Sequence, residues 1–250
     1  MSGQESAYSA LAVVYDRLGH HDYRAWGDYL TGLLLEMGVQ PGSKLIDAAC
    51  GTGGISLELI KSGYSVLGID ISQQMLTEAA AKAAKAGAPI TFVKQDIRAM
   101  RVHRPVDGIV CACDAVNYLL EPDDLRQFLC SARKSLKKGG ALLFDVSSEE
   151  KLAAMDGQLY GEETDDTAYL WTNTLDRETM VITMDITLFV RHWEYWRREN
   201  EVHQQRIWTE KEIANALTQC GYELRAVYGA FTKDKPKAGC DRLQFVAQAV

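Results

Sequence analysis

A glycine turn and a set of carboxylates are the residues with the clearest capacity for chemistry. The stretch LIDAACGTGG at 45–54 runs from apolar residues into closely spaced glycines, directly before a helix-like run that starts at Ile55. Asp70, Asp96 and Asp114 each follow another apolar run. A strand that enters a glycine turn and continues as a helix commonly holds a ligand there, because the backbone can approach it closely. The pattern predicts a ligand site surrounded by acids.

Alternating strands and helices would bring these residues together. Apolar residues at helical spacing predict a first helix over 22–37. Strands are predicted at 44–49, 65–69, 90–94, 108–113 and 141–146, with helices between them and a helix stop at Gly139-Gly140. Near-continuous apolar strands of this kind are typical of a parallel sheet covered on both faces. The carboxyl ends of such strands bind ligands, so the turn and the acids are expected at one rim.

Beyond residue 150 the apolar pattern changes to a period near two, over 167–208. This alternation predicts an inserted antiparallel β-meander of about three strands. The α/β pattern then resumes with a helix at 209–220 and strands at 223–230 and 242–249. The predicted fold class is α/β, a doubly wound, mostly parallel sheet with an inserted antiparallel meander.

Composition narrows the classes of partner. The formal net charge is −7 and no Lys/Arg block exceeds a pair, which argues against nucleic acid held by phosphate contacts. No basic and apolar leader and no membrane-length apolar run is present, so we expect a cytoplasmic protein without a membrane partner. Most of the six cysteines lie in apolar runs and are predicted to be free and reduced. The one-residue spacing of Cys111 and Cys113 is too short for a zinc pair, so no metal is predicted.

The glycine turn discriminates between cofactors. A dinucleotide fingerprint needs a third glycine where Ser56 stands, and the Gly-Lys-Ser/Thr ending of a phosphate-binding loop is absent. The stretch from Asp47 to Gly53 resembles the glycine motif of class I S-adenosylmethionine-dependent methyltransferases, with Ala49 in place of its first glycine. Small residues at 49, 51 and 53 permit the close backbone approach that this cofactor requires.

The resemblance continues along the chain in GIDISQQML, QDIRAM and CACDAVNYL, and in an N-terminal segment similar to the lid of small-molecule methyltransferases. It implies that Asp70 binds the ribose hydroxyls and that Asp96 accepts from the adenine amino group. The residues that it implies for cofactor binding are Tyr15, Tyr23, Trp26, Ala49, Gly51, Gly53, Asp70, Ile71, Met75, Asp96, Ile97 and Asp114. The implied domains are a helical lid (1–40), a Rossmann-like S-adenosylmethionine-binding core (41–150), the inserted sheet (151–208) and a C-terminal helix with strands that complete the core (209–250).

The resemblance therefore predicts methyl transfer from S-adenosylmethionine to a small-molecule acceptor, at an amine nitrogen, with S-adenosylhomocysteine as product. His203 and Tyr118 are the catalytic candidates, and Tyr118 and Arg206 are the candidates for acceptor binding. Four of the five tryptophans lie in or beside the insertion, which could form the acceptor pocket, a homodimer contact or simply its own small core. Two alternatives stay open: an RNA methyltransferase, although both prolines of the usual motif are missing from 113–118, and a cofactor-binding interaction module without catalysis.

Overall fold

The computed structural model describes residues 12, 15–18 and 22–250, so most of the first twenty-one residues of the predicted lid lie outside the described part. The helices are α1 (Tyr15–Leu18), α2 (Tyr23–Glu36), α3 (Gly54–Lys61), α4 (Gln73–Ala86), α5 (Pro122–Ser135), α6 (Glu149–Ala154) and α7 (Glu210–Gln219). The strands are β1 (Lys44–Ala48), β2 (Ser65–Asp70), β3 (Thr91–Lys94), β4 (Val106–Cys111), β5 (Leu136–Ser147), β6 (Leu159–Glu163), β7 (Thr167–Asp176), β8 (Val181–His192), β9 (Tyr195–Arg206), β10 (Tyr222–Gly229) and β11 (Arg242–Ala249).

The main sheet has seven strands in the order β10-β11-β5-β4-β1-β2-β3. Strands β1 to β5 are parallel to one another, whereas β11 pairs antiparallel with both β5 and β10. The strand order reverses between β1 and β4, and in such sheets a crevice opens at that point beyond the carboxyl ends. The predicted α/β class and mostly parallel sheet are confirmed.

Apolar side chains cover both faces of this sheet. Along β4, Ile109 packs into the core on the α5 and α7 side, and its neighbour Val110 packs into the core on the α2 and α3 side. Both residues are fully buried, as expected for a strand between two layers of helices. This sandwich holds the carboxyl ends of the central strands in fixed positions.

Local side-chain caps begin the helices at the predicted places. Ser72 accepts a hydrogen bond from the backbone N–H of Met75 at the start of α4, at 3.2 Å. Thr209 and Glu212 form a reciprocal capping box at the start of α7. The helix predicted over 123–136, before Gly139-Gly140, is confirmed as α5, which ends at Ser135. The chain enters β5 at once, where Leu136 pairs with Val106 of β4, so the two glycines lie within that strand.

The insertion is a four-stranded antiparallel sheet in the order β6-β7-β8-β9, one strand more than predicted. The extra strand, β6, has the sequence LYGEE, whose apolar content is too low to give a strand signal. In β9 the usual pattern is inverted. Glu201, His203 and Gln205 are buried, whereas Val202 between them is 55% exposed. The inner face of this sheet therefore carries polar groups, which are costly to bury without hydrogen-bond partners.

A disulfide joins Cys130 of α5 to Cys220, directly after α7. The prediction of free, reduced cysteines is therefore wrong for this pair. The two residues are 90 positions apart, so their spacing in the sequence does not predict the bond. The bond forms because α5 packs beside α7. None of the helices in the described residues is long and apolar enough to cross a membrane.

Opening this disulfide is expected to lower the free energy of unfolding by about 2–4 kcal/mol, because the bond closes a long loop in the unfolded chain. Denaturant titration with and without dithiothreitol measures the difference. The Cys130→Ala variant is the control, since the reductant should no longer change its unfolding midpoint. A reductant effect of equal size in that variant would contradict the assignment.

Candidate active site

A cavity lies at the carboxyl ends of β1, β2, β3 and β4, where the main sheet changes strand order. Ten of the residues that sequence reasoning selected line it: Tyr15, Tyr23, Ala49, Gly51, Asp70, Ile71, Met75, Asp96, Ile97 and Tyr118. Its other lining residues are Asp47, Cys50, Thr52, Ile55, Ser72, Ala112, Cys113, Ala115 and Leu119. Segments distant in sequence thus meet at the expected rim.

The glycine turn approaches the cavity with its backbone. Ala49, Gly51 and Gly53 all have positive φ, at 57°, 52° and 75°. No atom lies within 4 Å of the place where a Cβ of Gly51 would be, so the cavity is open there. At Gly53 a Cβ would lie 3.0 Å from Ala79 and 3.1 Å from the Phe92 ring. Gly53 is therefore needed for packing at the start of α3. It was predicted to bind the cofactor, but it does not line the cavity.

Asp70 ties two turns together from the end of β2. Its Oδ2 accepts the backbone N–H of Gly51 at 2.8 Å, and its Oδ1 accepts the backbone N–H of Ser72 at 2.8 Å. Burial raises the pKa of Asp70, although these amide hydrogen bonds act in the opposite direction. Asp70 lines the cavity, and each oxygen of its carboxylate can accept a further hydrogen bond from a ligand.

Asp47 is buried beneath the same turn, where it accepts a hydrogen bond from Ser56 Oγ at 2.5 Å. Burial raises the pKa of Asp47 to about 7, and the nearby Asp70 charge acts in the same direction. The hydrogen bond links the end of β1 to the first turn of α3. Asp47 thus holds the strand and the helix on either side of the glycine turn.

Asp96 lies beyond β3 at the start of a short 3₁₀ turn, Ile97–Ala99. It accepts the backbone N–H of Arg98 at 2.8 Å and also pairs with the Arg98 guanidinium, which reaches Asp124 at 2.8 Å. The Arg98 charge fixes the orientation of Asp96 at the cavity wall. No local pattern in the sequence pointed to this arginine.

A cluster that sequence reasoning missed fastens α1 across the glycine turn. Asp16 accepts hydrogen bonds from Tyr23 Oη and Thr52 Oγ1, each at 2.7 Å, and forms an ion pair with Lys82 of α4. Lys82 Nζ also donates to Thr52 Oγ1 at 3.0 Å. Burial alone would raise the pKa of Asp16, but the bonds from Lys82, Thr52 and Tyr23 outweigh it and lower that pKa. We call these four residues the Asp16 clasp.

Asp114 does not line the cavity, contrary to prediction. It follows Cys113, and both residues have positive φ, at 54° and 62°. Its carboxylate accepts a hydrogen bond from Gln205 Nε2 at 3.1 Å. It lies beside the buried ion pair of Arg242 and Asp145. Burial alone would raise the pKa of Asp114, but the Arg242 charge and neighbouring donors lower it. The preceding residue, Cys113, lines the cavity instead, and burial raises the pKa of its thiol.

Trp26 and Arg206 also lie away from the cavity lining. Trp26 is a residue of α2 and points into the core, with its ring centroid 4.6 Å from that of Phe231. Arg206 donates to the carbonyl of Leu120 at 3.2 Å and to Glu212 at 3.3 Å, so it fastens β9 to the start of α7. Sequence position predicted a binding role for both residues, but the Trp26 ring packs against Phe231 and two nitrogens of the Arg206 guanidinium bond to Leu120 and Glu212.

His203 reaches the cavity through Tyr118. The Tyr118 hydroxyl, in a 3₁₀ turn after β4, is 3.1 Å from His203 Nδ1. His203 is 2% exposed and does not itself line the cavity. Beside it, Asn117 Nδ2 donates to the Arg206 carbonyl at 2.9 Å and Trp208 Nε1 to the Leu119 carbonyl at 3.1 Å. These bonds seat β9 of the inserted sheet on the cavity mouth.

Comparison with known proteins agrees with this geometry. Residues 45–140 match the family model described as a methyltransferase domain. The chain is 34% identical over 244 residues to YqeM of Bacillus subtilis (strain 168), whose name assigns it to the methyltransferases without stating a substrate; the match covers 96% of each chain. A glycine/sarcosine N-methyltransferase of Aphanothece halophytica is 30% identical over 121 residues, 48% of this chain and 44% of that protein.

Among solved structures, an S-adenosylmethionine-dependent methyltransferase from Clostridium acetobutylicum ATCC 824 superimposes with a TM-score of 0.87 at 27% identity, over 97% of this chain and 98% of that one. The doubly wound sheet with its rim cavity is thus a Rossmann-like methyltransferase fold. The chain belongs to the class I S-adenosylmethionine-dependent methyltransferases.

The cavity fits the cofactor of this family. The open space at Gly51 admits a ligand against bare backbone, and the Asp70 carboxylate presents acceptor oxygens for hydroxyl groups. Ile71, Met75 and Ile97 supply apolar surface for a planar ring. We propose these residues, with Asp96, as the cofactor-binding set, and we propose that Tyr15 and Tyr23 cover it.

Replacing Ala49 by glycine is expected to raise the free energy of unfolding by about 0.5–1 kcal/mol. An L side chain is disfavoured at positive φ, so glycine relieves strain in the folded state. This relief exceeds the conformational entropy that glycine adds to the unfolded chain. Denaturant titration checks the value. Ala48→Gly is the matched control: Ala48 is an extended strand residue, so that variant should lose about 1–2 kcal/mol. A loss at both positions would show that Ala49 is not strained.

Removing the Lys82 ammonium is expected to weaken cofactor binding through the Asp16 clasp. In Lys82→Met the methylene stem remains but the bonds to Asp16 and Thr52 are lost. A partly exposed ion pair is worth about 1 kcal/mol, so the Kd for S-adenosylhomocysteine should rise about fivefold by calorimetry. Lys85→Met, on the same helix but exposed, should leave the Kd unchanged. Equal Kd values for the two variants would contradict a role for the clasp.

Proposed function

We propose that this methyltransferase acts on the nitrogen of a small amine. The observation that carries the proposal is that aromatic rings and carboxylates share the inner face of the inserted sheet, which meets the cavity mouth at Tyr118. The rings on that face, Tyr160, Tyr169 and Trp171, would then belong to the acceptor pocket.

The register of the inserted sheet defines that inner face. Adjacent strands place Tyr160, Trp171, Ile186 and Glu201 in one row and Glu162, Tyr169, Leu188 and Glu199 in the next. The rings of Tyr160 and Trp171 are edge-to-face at 6.1 Å, and the Trp171 indole donates to Asn173 at 2.7 Å. Aromatic faces and carboxylates together favour cationic amines over neutral or anionic acceptors.

The relative from Aphanothece halophytica, named as a glycine/sarcosine N-methyltransferase, supports this acceptor class. Its similarity covers about half of this chain, and the inserted sheet is where the acceptor would be selected. The resemblance therefore supports amine chemistry and does not name the amine.

The chain's own residues have three tasks in such a reaction. When bound, S-adenosylmethionine supplies a methyl group already activated on a positively charged sulfur. Asp70 and the glycine turn would orient that group toward the mouth, and Tyr15 and Tyr23 would exclude water from it. Tyr118 would contact the acceptor nitrogen, which must be unprotonated at the moment of attack.

Transfer of a labelled methyl group tests the acceptor class. The purified protein is incubated with S-adenosyl-[methyl-³H]methionine and either glycine, sarcosine, ethanolamine, glucosamine, catechol or bulk transfer RNA. We expect label on at least one amine and none on catechol or RNA. Turnover confined to catechol or to RNA would overturn the proposal.

Two neighbouring substitutions then test the sheet as the acceptor wall. Trp171→Ala should raise the KM of the preferred amine about tenfold, the effect of losing one cation–π contact. Leu170→Ala changes the adjacent residue, which is 51% exposed on the opposite face, and should leave that KM within twofold. Similar KM values for the two variants would remove the sheet from acceptor binding.

A further inference from the structure

Glu201, His203 and Tyr118 form a continuous line of hydrogen bonds from the inner face of β9 to the cavity. Glu201 Oε2 is 2.9 Å from His203 Nε2, and His203 Nδ1 is 3.1 Å from the Tyr118 hydroxyl. The side chains of Glu201 and His203 are both 2% exposed, whereas Tyr118 lines the cavity. Among the described residues of this line, Tyr118 is therefore the one that reaches the cavity wall.

The chemistry of the three groups gives the line a direction. An ionised carboxylate only accepts hydrogen bonds, so Nε2 of His203 carries the proton that it donates to Glu201. Nδ1 of the neutral ring is then an acceptor, and the Tyr118 hydroxyl donates to it. Tyr118 lines the cavity, and the oxygen of a hydroxyl that donates its proton has lone pairs with which it can accept a proton from a ligand there.

We propose that Glu201 is a positioning residue that fixes the tautomer of His203, so that Tyr118 and His203 together accept the proton that the methyl acceptor releases. The inference rests on the proposed function only for the identity of the acceptor atom. It gives a use to the inverted pattern of β9, in which Glu201 and His203 are turned inward and Val202 outward.

The proton and electron pairs balance along this line. As the new bond between the methyl carbon and nitrogen forms, the bond between that carbon and the cofactor sulfur breaks and its electron pair stays on sulfur. The nitrogen then gives one proton to the Tyr118 oxygen, and the hydroxyl proton of Tyr118 passes to His203 Nδ1. The resulting imidazolium is paired with the Glu201 carboxylate, and it later loses its proton to solvent through the reverse path.

Nitrogen-15 NMR of histidine-labelled protein tests the tautomer without any acceptor. The His203 signals are assigned from their loss in His203→Gln. We expect protonated Nε2 and bare Nδ1 in the neutral ring of the parent protein. In Glu201→Gln, where the amide can donate as well as accept, the Nδ1-protonated form should become populated. A parent ring protonated on Nδ1 would overturn the inference whatever the acceptor is.

Kinetics on the best acceptor of the labelled panel test the catalytic consequence. Glu201→Gln should lower kcat about 10–100-fold with KM within threefold, since a misaligned base loses part of its contribution. Glu201→Asp, which restores the charge, should recover part of that loss. Glu163→Gln removes an exposed carboxylate from the same sheet and should leave kcat within twofold.

The outcomes separate this inference from the proposed function. If only catechol turns over and Glu201→Gln still lowers its kcat, the amine proposal fails and the relay stands, because a hydroxyl acceptor also releases a proton. If an amine turns over and Glu201→Gln has the parent kcat, the relay fails and the amine proposal stands. Binding of S-adenosylhomocysteine by calorimetry should be equal in all variants, which excludes a general folding defect.

Discussion

The cavity depends on one buried carboxylate. Asp70 accepts a backbone N–H from the glycine turn after β1 and another from the turn after β2, so a single side chain sets the distance between two strand ends. The same oxygens face the space between those turns. Because the carboxylate is already held by amides, it can meet a ligand's hydroxyl groups without reorganising, and preorganisation of that kind lowers the cost of binding. The glycine turn contributes to this arrangement because it brings the backbone N–H of Gly51 within 2.8 Å of Asp70.

Three of the six non-glycine residues with positive φ in the described part of the chain lie around the same space. Ala49, Cys113 and Asp114 all adopt positive φ without being glycine, and they follow the two adjacent central strands β1 and β4. Such conformations persist only where the surroundings hold them, and here Asp145 accepts the backbone N–H of Asp114 at 2.9 Å. The buried pair of Asp145 and Arg242 therefore supports the cavity mouth from behind, although it does not line it.

Sequence reasoning predicted the position of a side chain correctly where that position follows from a strand end, as for Asp70 and Asp96, which line the cavity. It failed where the destination of a side chain depends on tertiary partners: Trp26 enters the core, and Arg206 fastens β9 to α7. Contacts between distant segments left no local signal at all, as in the Asp16–Lys82 ion pair and the bond between Cys130 and Cys220. The extra strand β6 was missed because five mostly polar residues do not alternate clearly. Local sequence patterns thus predict whether a segment is a helix or a strand, but they do not predict which distant residues its side chains contact.

The two-residue period of β9 makes the inserted sheet sensitive to parity. Glu201, His203 and Gln205 all face inward because they are separated by even steps, and the strand is held between β8 and the turn around Asn117. A single residue inserted before Glu201 would turn the whole set to the solvent and bring Val202 beneath the sheet. Two inserted residues would restore the facing. Within β9, length differences on the N-terminal side of Glu201 among homologous chains should therefore come in even numbers wherever the inward set is kept.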